Sequence, residues 1–269
     1  MKNFLLIIII LIFITISIIL FNNKKINIET SIINNYAIYP FYKKELHEEY
    51  IKYQNNCHLS DKESILHVNI GLNKPFYTDS RKAKNLNSTI ILVNKYNYLE
   101  KDYVPNNLVI LDEFSKPGIR LNSEAYEKFK EMANDALKED DLKLRIVSAY
   151  RSYEYQENLY NNYLKYDDRK KVDTYSARAG YSEHQTGLAV DIDNEIINYN
   201  RFHITREFAW ISKNAHKYGF ILRYPLGKEY ITGYKYEPWH YRYVGKDIAT
   251  YIYQNNITYE EYYYEFIDK

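Results

Sequence analysis

The hydrophobic pattern divides the chain into three stretches. Phe4 to Phe21 is nearly unbroken Ile, Leu and Phe, preceded by Lys2 and followed by Asn22-Asn23-Lys24-Lys25. Spanning a bilayer takes roughly 17–25 apolar residues, so the run suffices with little to spare. It exceeds the roughly 7–15 residues of a signal-peptide core, and no small-x-small cleavage site follows it. Residues 1–25 are therefore expected to be an uncleaved membrane helix, with a cleaved signal segment as the alternative. Residues 26–64 are polar, rich in Asn, Lys and Glu, and read as a stalk with some helix around Glu45 to Tyr53. From residue 65 to 269 the pattern is that of a folded domain.

Within that domain Leu66, Val68, Ile70 and Leu72 alternate, as on one face of a strand. Ile90 to Val93 and Leu108 to Leu111 are further short strand candidates. Asn122 to Asp140 is the clearest helix: Ala125, Phe129, Met132, Ala133, Ala136 and Leu137 fall on one stripe, with Asn122 or Ser123 as the cap. Leu142 to Ala149 and Gly187 to Asp193 read as strands. Helices are expected over Ser152 to Leu164 and Thr205 to Tyr218, the latter closed by Gly219. Two short helices follow Gly245, the last opened by the capping pair Thr258 and Glu261. Helices and strands mix without regular alternation, which predicts an α+β domain with a small antiparallel sheet and flanking helices.

Composition changes this picture little. With 269 residues, 46% hydrophobic, the chain can build a core, and a formal net charge of +1 gives no reason to expect a nucleic-acid partner. The 32 tyrosines read as compositional bias. A single cysteine, Cys57, excludes an internal disulfide. Six of the eight glycines lie from Gly180 to Gly245, so the chain turns most tightly there.

Two runs in that region carry candidate chemistry. Ser182-Glu183-His184-Gln185-Thr186-Gly187-Leu188-Ala189-Val190-Asp191 offers a His and an Asp around a glycine; Glu237-Pro238-Trp239-His240 offers a Glu and a His. His184 and Asp191 are seven apart, and an odd separation on a strand puts side chains on opposite faces. They meet only if the chain bends at Thr186-Gly187. Taken singly, each run reads equally well as a packed His and a surface acid. Together they supply three zinc ligands, His184, Asp191 and His240, and a spare carboxylate, Glu237, suited to a general base. Two neutral His and one Asp leave a zinc site net positive, which lowers the pKa of water toward roughly 7. A fourth ligand from Glu237 would instead close the site. Arg151, in Ser148-Ala149-Tyr150-Arg151-Ser152, follows a strand; it reads as a surface Arg or as a partner for a carboxylate or developing oxyanion.

Ser-x-His-x6-Asp followed by Glu-x-x-His resembles the VanY-type zinc D-alanyl-D-alanine carboxypeptidase family. Flanking runs match as well: Val93-Asn94-Lys95, Tyr103-Val104-Pro105, Ser148 to Ser152, Gly219-Phe220, Arg223-Tyr224-Pro225, Thr232-Gly233-Tyr234 and Glu237 to Gly245. The resemblance covers roughly residues 65 to 269. One departure is Ala179, where relatives often carry proline before the glycine. The resemblance implies Zn2+ on His184, Asp191 and His240, with Glu237 as base. It further implies Arg151 on the substrate carbonyl, and Gln156 and Ser182 holding the peptide. The implied reaction removes the terminal D-alanine from peptidoglycan stem peptides, which places the catalytic domain outside the cell; with the apolar run Phe4–Phe21 read as an anchor, a single-pass membrane protein is expected. L,D-carboxypeptidase or endopeptidase action on the same substrate class is the alternative within the family. A non-catalytic wall-binding module is the alternative outside catalysis.

Overall fold

The computed structural model describes residues 14–22, 24, 35–194 and 199–268. Residues 14–22 are helical, and among the described residues no helix is long and apolar enough to cross a membrane. The first ten residues of the Phe4–Phe21 run, with most of 22–34, lie outside the described residues. The described chain falls into two compact units, one ending at Asn69 but including Asp268, the other running from Ile70 to Ile267.

The stretch expected as a stalk, 26–64, holds the helix His47–Cys57 and the first turn of the helix Asp61–Ile70. Tyr36, Phe41 and Tyr50 are buried. Tyr50 Oη donates to Asn69 Oδ1 at 2.7 Å, and Asn69 Nδ2 donates to the Phe41 carbonyl at 2.8 Å. The strand expected over Leu66–Leu72 is not formed, because Leu66, Val68 and Ile70 belong to the second helix. Every residue from Ser64 to Ile70 is buried, so an apolar residue at each second position says nothing about period. The helix start is marked instead by a capping box: Ser60 N donates to Glu63 Oε2 (3.0 Å), and Glu63 N to Ser60 Oγ (3.3 Å).

The second unit is the expected α+β domain. Short pairs β1 (Arg81–Lys82) with β2 (Asn97–Tyr98), and β3 (Leu108–Ile110) with β4 (Arg120–Asn122), flank an antiparallel four-stranded sheet. That sheet has β5 (Arg145–Ser148), β6 (Ala189–Asp193), β7 (Phe220–Leu222) and β8 (His240–Tyr243) in the order β5-β6-β8-β7. The helix Ser123–Asp140 lays its apolar stripe against the sheet's core, except for Leu137, which is exposed. Asn122 caps it, Oδ1 accepting from Ala125 N at 3.2 Å, and Ala125, Phe129, Met132, Ala133 and Ala136 are buried with Ile146, Val190 and Tyr241.

Two expected strands are altered, each for a local reason. The strand expected from Leu142 begins only at Arg145, since Asp141 adopts φ 51° and Leu142 N caps the helix by donating to Ala136 O. In the stretch Ile90 to Val93, Ile91, Leu92 and Val93 are buried, but it is not a strand. One of its carbonyls meets a side chain instead of a neighbouring strand: Arg242 Nη2 donates to Ile91 O (2.6 Å), and also to Thr89 O just before the segment (3.1 Å).

Gly187 is where the fold sets up the site. Its φ of 68° ends a 3₁₀ turn, Glu183–Thr186, and turns the chain into β6. A Cβ there would lie 2.6 Å from Leu108 Cδ2. Gly187→Ala should therefore cost about 1–3 kcal/mol, chiefly from the left-handed backbone, with some relief if Leu108 rotates. A thermal unfolding midpoint unchanged from the native chain would contradict this.

Candidate metal centre

The sheet register assembles the site. Asp191 on central β6 pairs with His240 on β8 and with Ser148 on β5. His184 joins from the 3₁₀ turn before β6, so the odd spacing to Asp191 is absorbed by the bend at Gly187 as expected. Pro238 and a backbone bond from Glu237 N to Tyr224 O (3.1 Å) hold Glu237 in a non-helical loop ahead of β8. Trp239 is only partly buried, and its carbonyl accepts from Ile192 N at 2.9 Å.

His184, Asp191 and His240 are all buried, and a ligand atom from each lies within 4.8 Å of the others. Asp191 Oδ1 is 3.4 Å from His184 Nε2 and 3.3 Å from His240 Nδ1. Ligand atoms about 2.0–2.1 Å from a tetrahedral zinc are about 3.3–3.4 Å apart, so these separations fit a zinc ion. Asp191 Oδ1 has no hydrogen-bond partner among the described residues although it is buried. Such an orphaned acceptor between two imidazole nitrogens is explained by a cation. His184 Nδ1 lies 2.6 Å from the Ala149 carbonyl, which can only accept, so the proton sits on Nδ1 and Nε2 faces the cluster as a lone pair.

Glu237 Oε2 stands 3.5 Å from His240 Nδ1. Burial raises its carboxyl to about 7, against the lowering effect of His240. Burial would also raise Asp191, but His184 and Arg151 hold it well below the usual carboxylate range. Burial lowers His184 to about 4, helped by Arg151. His240 goes the other way: burial would lower it, yet Asp191 and Glu183 raise it to about 9. Three carboxylates around one imidazole thus favour positive charge at this point, as a proton or as a divalent cation.

Arg151, Gln156 and Ser182 line the same cleft of about 520 Å³ as His184, Asp191, Glu237 and His240. Arg151 donates through Nη2 to Asp191 Oδ2 (2.5 Å), and through Nε and Nη2 to Ser148 Oγ (3.0 and 2.8 Å). It therefore orients a member of the metal cluster; sequence reasoning allowed Arg151 a carboxylate partner without identifying it as Asp191. Gln156 is buried rather than turned to solvent. Its Nε2 donates to Ala177 O at 2.8 Å, leaving Oε1 buried with no hydrogen-bond partner among the described residues. Ser182 Oγ caps the 3₁₀ turn, accepting from His184 N at 3.3 Å.

Sequence reasoning also passed over a buried charge network behind His240. Glu183 Oε1 accepts from Arg223 Nε and Arg242 Nη1, both at 2.8 Å. Arg223 pairs through its other two nitrogens with Glu260, at 2.8 and 2.6 Å. All four side chains are fully buried. Burial would raise Glu183, but the two guanidiniums hold it well below the usual carboxylate range. The one sequence signal was Arg242 itself, a charge two residues from His240 and so on the same face of a buried strand.

Two imidazoles and a carboxylate around an open cleft, with a further carboxylate beside them, define a metallopeptidase-type centre. The family model described as VanY, D-alanyl-D-alanine carboxypeptidase, matches residues 118–246, which include every residue of this centre. YodJ of Bacillus subtilis (strain 168), itself a carboxypeptidase by assignment only, is 40% identical over 220 residues, 76% of this chain and 80% of its own. The structure of the LD-carboxypeptidase LdcB is similar with 40% identity and a TM-score of 0.64, over 70% of this chain and 91% of LdcB. A variant of the vancomycin-resistance D,D-pentapeptidase VanY from the VanB-type cassette, solved in complex with Zn(II), is similar with 34% identity and a TM-score of 0.55. That likeness spans 65% of this chain and 98% of VanY. The chain belongs to the VanY family of carboxypeptidases.

Proposed function

We propose that this protein is a zinc carboxypeptidase that removes the C-terminal D-alanine from peptidoglycan stem peptides, with D,D specificity. The observation that carries the reading is the orphaned Asp191 Oδ1 between His184 Nε2 and His240 Nδ1, at tetrahedral-edge distances beside a buried Glu237. His184, Asp191 and His240 hold the zinc, which supplies Lewis acidity toward water and the scissile carbonyl. Glu237 accepts a proton from the attacking water and passes it to the leaving amine as the C–N bond breaks. Arg151 keeps Asp191 oriented and offers its charge to the carbonyl oxygen as negative charge develops there. Gln156, through its unpaired Oε1, and Ser182 hold the peptide across the cleft. The apolar segment Phe4–Phe21 anchors the protein with its catalytic unit outside the cell, where that substrate lies. Protease treatment of intact cells should degrade the catalytic unit, and complete protection would contradict this placement.

A second reading, L,D-carboxypeptidase, has a specific observation in its favour: the likeness to LdcB, at 40% identity and TM-score 0.64, exceeds that to VanY at 34% and 0.55. Zinc-loaded protein incubated with pentapeptide and tetrapeptide stems, the products read by mass, separates the two. Loss of alanine from the pentapeptide alone is the result expected of D,D action. Loss from the tetrapeptide would replace it with L,D action, and loss from neither would contradict both.

Glu237→Gln should retain zinc and lose about 10²–10⁴-fold in kcat. As a base, Glu237 works only when deprotonated, so activity should fall as pH falls. A cation beside it lowers its carboxyl from about 7, and the acid limb of kcat/KM should therefore have its midpoint below 7. Full activity of Glu237→Gln, or loss of its zinc, would refute the role.

A further inference from the structure

His240 turns Nδ1 toward Asp191 and Glu237, and its other ring nitrogen points the opposite way, to Glu183. Nε2 of His240 and Oε2 of Glu183 are both buried, and neither has a hydrogen-bond partner among the described residues. They lie 3.7 Å apart, about half an ångström beyond hydrogen-bond range. Two orphaned buried groups of complementary chemistry facing each other need a common explanation. His184 supplies a precedent within the same site, since its outer nitrogen is held by the Ala149 carbonyl.

We propose that Glu183 is the positioning residue of the metal centre: its Oε2 accepts the Nε2–H of His240 and so fixes the tautomer that presents Nδ1 to the cation. The inference rests on the zinc site proposed above. The geometry suits the role because Glu183 cannot turn away. Arg223 and Arg242 hold its Oε1 at 2.8 Å each, leaving Oε2 aimed at His240. Glu183 and His184 are also neighbours on one 3₁₀ turn, so that turn delivers one ligand and the group that orients another. The two runs that build the site are thereby coupled behind the metal as well as through it.

Glu183→Gln tests this without changing side-chain volume. Its amide oxygen would stay with the two guanidiniums, because the reverse orientation sets an NH₂ against both. The NH₂ would then face His240 and donate to Nε2, moving the ring proton to Nδ1, the atom that must bind the metal. Zinc affinity by chelator competition should fall about 10–100-fold. In the nitrogen-15 NMR spectrum of metal-free protein, taken at a pH where the His240 ring is neutral, the single ring proton should sit on Nε2 in the native chain and on Nδ1 in Glu183→Gln. Unchanged affinity and an unchanged tautomer in a folded variant would overturn the proposal. Should the variant not fold, the zinc-loaded native protein decides alone. Nε2 of His240 must then be protonated with Nδ1 on the metal, and the reverse overturns the proposal. Failure of the native protein to bind zinc would instead remove the underlying metal site.

Discussion

The antiparallel register that sets Asp191 of β6 beside His240 of β8 is the constraint on which the rest of the molecule depends. Side chains alternate along a strand, so a slip of one residue would carry Asp191 to the opposite face and disperse the cluster. The core enforces the register. Val190 and Ile192 are completely buried, as is Tyr241, and none of them could exchange places with the carboxylate without exposing apolar surface or burying an unpaired charge. The bend at Gly187 then returns His184 to the side on which Asp191 lies.

Behind this arrangement, four fully buried charges balance: Arg223 and Arg242 against Glu183 and Glu260. Removing ions from water costs several kcal/mol each, and the interior repays it only when geometry is complete. Here it nearly is. Arg223 uses all three of its guanidinium nitrogens on carboxylates, and Arg242 spends its remaining donors on the carbonyls of Thr89, Ile91 and Tyr243. The network joins the loop before the sheet, the turn that carries His184, strand β8 and the helix Tyr259–Tyr262. A hydrophobic cluster could hold these parts together as tightly. It would offer no acceptor to the outer nitrogen of His240, which the Glu183 carboxylate faces.

Much of the site was legible in the sequence because its donors sit in two short runs whose chemistries complement each other. His184, Asp191, Glu237 and His240 do come together, and Arg151, Gln156 and Ser182 line the same cleft. The α+β class and the long helix followed from apolar periodicity and caps at Asn122 and Thr258. What escaped were features that periodicity cannot encode. The helix Asp61–Ile70 is buried all round from Ser64, so it mimicked a strand. Ile90–Val93 had the composition of a strand, but its Ile91 carbonyl accepts from the Arg242 side chain and its Ile91 N–H bonds back to Ser88 O. The contact of Arg151 with Asp191, and the approach of Glu183 to His240, join residues 40 and 57 positions apart and depend on sheet register, which no local pattern reveals.

The most direct measurement is anomalous diffraction at the zinc edge from crystals of the zinc-loaded protein. The account predicts one metal peak within about 2.0–2.2 Å of His184 Nε2, Asp191 Oδ1 and His240 Nδ1, with the Glu237 carboxylate outside bonding distance. A peak bonded to Glu237 as a fourth protein ligand, or one lying away from these three atoms, would contradict it.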